Sequence, residues 1–180
     1  MTALIELIGL KCFKCETPVP AAPDEIAWVC ARCGQGLMLD EVSGVASQAF
    51  NFATGIPEGK KGNPFWVAGG NLRLNRQTYG SFGKKDNESA EFWAQPRQFF
   101  VPAFACDLET MVNAGVALLR NPPNLAAGNP APFLPVTVLP QDVYPLAEFI
   151  VVAIEAERKD SIKQIDFTLE LRAPELWVLP

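Results

Sequence analysis

Apolar residues in this chain come in short runs broken by prolines, glycines and polar clusters, and the spacing within each run predicts its element. Leu4, Ile5, Leu7, Ile8 and Leu10 form a dense run that reads as a strand. Ile26-Ala27-Trp28-Val29 and Gly36-Leu37-Met38-Leu39 read as two further short strands, and residues 49–54 alternate weakly as another. Residues 65–79 are the next strand region, with Leu72-Arg73-Leu74-Asn75 alternating and Gly69-Gly70 read as a bulge or turn. After a polar loop at 83–89, Phe92-Trp93 and residues 99–104 form an aromatic segment with the character of an edge strand. Helical periodicity then appears. Leu108, Met111, Val112, Gly115, Leu118 and Leu119 share one face of a helix over 108–120, capped by Asp107 and stopped by Asn121-Pro122-Pro123.

A Pro/Ala/Gly/Asn linker follows over residues 121–140. A second helix is expected from the cap Asp142, with Pro145 in its first turn, through Leu146, Phe149, Ile150, Ala153 and Ile154 to Lys159. Phe149-Ile150-Val151-Val152 is also good strand sequence. Glu155 and Glu157 fall on the face of that helix expected to be solvated. Ile165, Phe167, Leu169 and Leu171 alternate with Asp166, Thr168, Glu170 and Arg172, the pattern of a half-buried strand. Leu176-Trp177-Val178-Leu179 then ends the chain with no later element to cover it. Trp177, Leu176 and Leu179 are therefore the candidate partner-binding residues, Trp177 foremost because a buried Trp carries a large contact area.

Composition agrees with this picture. Nearly half the 180 residues are apolar (49%), enough for a packed core, while sixteen prolines and thirteen glycines speak against a helical bundle. The fold class expected is α+β, strand-rich, with about two helices.

The chemistry sits near the start. Cys12-Phe13-Lys14-Cys15 is answered after fourteen residues by Cys30-Ala31-Arg32-Cys33. Each CxxC pair makes a tight knuckle turning both sulfurs toward one point, and two knuckles complete the tetrahedron that Zn2+ accepts. Cys12, Cys15, Cys30 and Cys33 are thus the candidate ligands of a structural zinc. Gly34 follows Cys33, where a knuckle needs a positive φ. A rubredoxin-like iron site uses similar knuckles, but Glu16 rather than glycine follows Cys15 and the gap is short. A CxxC redox pair sits alone at a helix N-terminus, unlike these two symmetric pairs.

Over residues 8–40 these motifs resemble the zinc-ribbon family. The resemblance implies two β-hairpins clamped by zinc, with the metal as the main source of folding energy, and implies no single job. The domain organisation expected is a zinc ribbon at 1–42, a connecting segment with one strand at 43–63, and a mixed α/β domain at 64–180. Beyond the ribbon, the order Phe65-Trp66, then residues 100–104, then a helix is similar to that of uncharacterised bacterial ribbon proteins and implies no activity.

Charge narrows the function classes. The net charge is −5, with three basic and six acidic groups in residues 1–42, a poor surface for gripping phosphates. Between Lys60 and Lys85 lie six basic residues (Lys60, Lys61, Arg73, Arg76, Lys84, Lys85) and no acid, interleaved with Phe65, Trp66, Tyr79 and Phe82. This is the chain's one stretch with nucleic-acid-like or anionic-membrane-like character. Histidine is absent, which removes the commonest general base. Gly59-Lys60 does not complete a phosphate loop, and Cys106 reads as a spare buried thiol. No run spans a membrane as a helix, and the first residues lack the basic start of a signal peptide. These features point to a cytoplasmic, non-catalytic zinc-ribbon structural or interaction protein, an accessory subunit or assembly component of a larger protein complex. The alternative is nucleic-acid binding through residues 60–85, and peripheral membrane contact through that stretch is compatible with the first reading.

Overall fold

The computed structural model describes residues 9–40, 44–78, 84–158 and 162–180. The strand expected over residues 4–10 lies outside them except for its last two residues. The chain is an α+β protein with two sheets, and the cysteines lie in its N-terminal part. The smaller sheet is antiparallel, in the order β1 (Ala27–Val29), β2 (Gly36–Asp40), β3 (Gly44–Ser47). The segment expected to connect two units through one strand thus carries two: β3, which pairs with β2, and β4 (Phe50–Phe52).

The larger sheet is built around β5 (Asn63–Thr78), sixteen residues long. On one side β5 pairs with β6 (Arg97–Pro102). On the other its second half pairs with β7 (Ile162–Leu171) and its first half with β8 (Glu175–Leu179), both antiparallel. Strand β4 adds in parallel to the far edge of β8. The edge-strand expectation holds for residues 97–102, which among the described residues pair only with β5. Gly69-Gly70 is neither bulge nor turn, because pairing runs straight through it. Gly70 is opposite both Arg97 and Leu171, and a Cβ there would stand 2.5 Å from a Leu171 methyl. The glycine serves close approach of strands rather than a bend.

Alternation of side chains across the pleat feeds two cores. Trp66, Ala68, Phe99 and Val101 enter the larger one, while Phe65, Val67 and Phe100 enter a smaller one. The larger core is completed by α2 (Leu108–Arg120) and α3 (Val143–Ala156). Helix α2 has the bounds and caps its sequence predicts, with the Asp107 carboxylate accepting from the Thr110 amide at 2.8 Å. Its inward face is Met111, Gly115, Val116 and Leu119, and Leu108 is exposed. Gly115 lets α3 approach, since a Cβ there would stand 2.3 Å from Ile150. Residues 143–156 are helix and not strand, but Asp142 makes no capping bond and a 3-10 turn over Pro140–Asp142 leads in instead.

Two expectations are corrected. Residues 84–89 of the expected polar loop, together with Phe92-Trp93, belong to a third helix, α1 (Lys84–Trp93), whose buried residues Ser89 and Trp93 are four apart on one face. The C-terminal residues are not an uncovered tail. Leu176, Val178 and Leu179 are buried in β8, between β4 and β5, and Trp177 is partly covered. Leu176 and Leu179 therefore have no side-chain surface to offer a partner. Leu176 packs into the larger core and Leu179 into the smaller one.

Candidate metal centre

The two CxxC segments fold as near copies of one knuckle. The Cys12 amide donates to the Thr17 carbonyl (2.9 Å) as the Cys30 amide does to Gln35 (2.8 Å). The Glu16 amide donates back to Cys12 (2.7 Å) as the Gly34 amide does to Cys30 (2.8 Å). Both Glu16 (φ 58°) and Gly34 (φ 71°) take the left-handed conformation. For a non-glycine residue that conformation costs about 1–2 kcal/mol. Glu16 accepts that cost, so a knuckle whose sequence lacks the usual glycine forms all the same.

The knuckles bring the four sulfurs together, all within 4.8 Å of one another. Cys12 Sγ lies 3.6 Å from Cys33 Sγ, and Cys15 Sγ lies 3.5 Å from Cys30 Sγ. A disulfide needs about 2.05 Å. Ligands about 2.3 Å from a tetrahedral zinc stand roughly 3.8 Å apart. The donor set and its spacing fit a metal ion held by four thiolates. Trp28, Leu37 and parts of Leu10, Val19 and Val45 pack around the sulfurs, shielding the site on its inner side.

The thiols are not equivalent as acids. The Thr17 hydroxyl, 3.2 Å from Cys15 Sγ, and the Thr17 backbone pull Cys15 down to about 6. At Cys33 the Gln35 backbone lowers the value, but burial and the three neighbouring cysteines outweigh it and push the thiol up to about 11. Thr17 is a residue the spacing of the cysteines did not single out. Cys106 lies outside the cluster, half-buried just before α2, where burial and then the Asp107 carboxylate raise its thiol. The helix N-terminus does not activate it.

A second polar cluster sits within the larger unit and was not legible beforehand. Glu155 is fully buried rather than solvated. Its carboxylate accepts from the Ser89 hydroxyl (2.9 Å), the Trp93 indole N–H (2.8 Å) and Arg158 Nε (3.0 Å), with Arg76 Nε 3.5 Å away. Helices α1 and α3, strand β5 and the turn after α3 supply these groups, and the carboxylate has partners on both oxygens. Glu157 is exposed as expected and pairs with Arg120 at 2.6 Å. The same cluster dissects the basic stretch. The Arg76 side chain is 5% exposed and turned inward, whereas Arg73 lies on the opposite, exposed face of β5. Among the described residues no helix is long and apolar enough to cross a membrane. No family model, curated protein or solved structure matches the chain.

Proposed function

We propose that the chain is a non-catalytic zinc-ribbon protein of the cytoplasm, serving as an accessory subunit or assembly component of a larger protein complex. The observation that carries this reading is the convergence of Cys12, Cys15, Cys30 and Cys33 in two equivalent knuckles. Four thiolates fill the coordination of zinc and leave no position for water or substrate, so the metal supplies folding energy rather than Lewis-acid chemistry. The other reactive-looking groups support the same view. Glu155 is engaged by buried donors and the Cys106 thiol is raised. Exposed Phe13, Tyr144, Phe149 and Val152 supply apolar surface that a partner can cover.

Native mass spectrometry of the protein purified from its source cell tests the reading. The expected species is a complex with at least one other polypeptide and one zinc per copy of this chain; a bare monomer contradicts it. Nucleic-acid binding through residues 60–85 predicts a different result. With Arg76 turned inward, the stretch has lost one of its six cations to the interior. Binding to DNA or RNA is expected to be weak and steeply salt-dependent, and replacing Lys60, Lys61, Lys84 and Lys85 by Gln leaves complex formation intact. Submicromolar binding at physiological salt, abolished by those changes, establishes the alternative.

A further inference from the structure

We infer that the groove between the small sheet, with its second knuckle, and β4 is a docking site for an extended, uncharged polypeptide segment. The inference deepens the interaction reading above and rests on it. The groove has a volume of about 580 Å3, within the range of sites that hold specific ligands. One wall is the backbone from Gly34 to Gly36 beside the second knuckle, and the other is β4 with Trp177 and Pro130.

Charge identifies what the groove excludes. None of its fourteen lining residues is ionisable, in a chain whose charged residues make up 19%. A phosphate or carboxylate ligand would find no countercharge here, so the ligand is neutral. The polar groups that remain identify its chemistry. Gln48 Nε2 donates to the Ala49 carbonyl (2.9 Å) and Asn51 Nδ2 to the Leu176 carbonyl (3.3 Å). Each carboxamide carries two N–H donors and a carbonyl acceptor, so each retains one donor beside one acceptor. That pair is the complement of the N–H and C=O that one residue presents along the same edge of an extended chain. A helix has already used its peptide groups internally, whereas an extended or polyproline chain keeps them free. Trp177 completes the site. Its indole N–H is taken by Glu175 Oε2 at 3.2 Å, so it presents a ring surface to a side chain or proline ring. Trp177 thus keeps a partner-binding role, from within a groove rather than from a loose terminus.

The test is to pan the intact, zinc-loaded chain against a displayed library of random dodecapeptides and titrate the enriched peptides. Uncharged sequences are expected to be enriched. Trp177→Leu should weaken their binding roughly tenfold or more, and Gln48→Ala about fivefold. Gln48 is partly exposed and its side chain bonds to the adjacent residue, so Gln48→Ala keeps the zinc content and melting temperature of the parent. No enrichment, enrichment of charged sequences, binding unmoved by Gln48→Ala, or binding of a neutral hexasaccharide in place of peptides overturns the inference. A native complex that survives Gln48→Ala at full strength also overturns it, yet leaves the accessory-subunit reading standing. Absence of any native complex removes that reading itself.

Discussion

One buried cluster of the described residues has nineteen members, eighteen from segments of the larger unit far apart in sequence and one, Ala27, from β1. Around the cysteines the buried cluster has four members, and two of them are Cys12 and Cys30 themselves. The first region can hold its shape by removing apolar surface from water, at roughly 25 cal/mol per Å2. The second has Trp28 and Leu37 for the same task, far less than the entropy of ordering some thirty residues requires. Small units with so little core are ordinarily held by metal or disulfide. The contrast teaches why four cysteines stand where they do. We read a metal ion held by them as the replacement for a core that the segment is too short to build.

The two regions nevertheless meet. The Ile26 amide donates to the Val136 carbonyl at 2.8 Å, and Ala27 is buried in the larger cluster. The largest expected effect comes from stripping the metal with a strong chelator. Structural zinc contributes on the order of 10 kcal/mol in small metal-bound folds, so the knuckles and β1–β3 are expected to unfold. The three α-helices among the described residues lie outside that region, so far-ultraviolet helical signal should persist. Its loss together with the metal would show that the Ile26–Val136 seam makes both regions one cooperative unit.

The next effect breaks the larger region from within. Glu155→Ala removes the carboxylate from a buried cluster, leaves the Ser89 hydroxyl and the Trp93 indole N–H without their acceptor and takes one buried charge partner from Arg76, which costs about 3–5 kcal/mol. Glu157→Ala, two positions on, removes only an exposed pair with Arg120 and should cost at most about 1 kcal/mol. Urea titration of both variants measures the difference. Equal effects would contradict the inward role of Glu155. Zinc content should be unchanged in either variant, which keeps the two regions distinct.

The smallest effect concerns the cap of α2. The Thr110 amide, then its hydroxyl, hold the Asp107 carboxyl below its usual 3.8. A depressed folded value means the cap stabilises fully above 3.8, and that contribution is lost as the pH falls through the lowered value. Asp107→Ala should lower the melting temperature at neutral pH by about 2–4 °C. The difference from the parent should vanish in strong acid. A constant difference at every pH would show that the cap is not electrostatic.

These regions also differed in how far the sequence revealed them. Local signals were readable: the cysteine spacing, the Asp107 cap with its apolar helical face, and the alternation over residues 165–171. What escaped depends on distant partners. Helix α1 was hidden because its inward face includes Ser89, a polar residue that hydrophobic periodicity does not count. Ser89 points inward because Glu155 does, sixty-six residues later. Glu155 in turn was assigned to water because a carboxylate ordinarily belongs there. Leu176 and Leu179 looked uncovered because the cores they enter include Trp66 and Phe65, more than a hundred residues earlier. Glu16 shows the opposite case, a local rule about glycine that the knuckle's hydrogen bonds override.

The claim on which the rest depends is that one metal ion replaces the missing core of the N-terminal region. The most direct measurement is elemental analysis of the purified chain alongside its Cys12→Ser variant, with Cys106→Ser as control. The account predicts one zinc per chain in the parent and in Cys106→Ser, and loss of that zinc in Cys12→Ser. No metal in the parent, iron in place of zinc, or zinc retained at full stoichiometry by Cys12→Ser would contradict it.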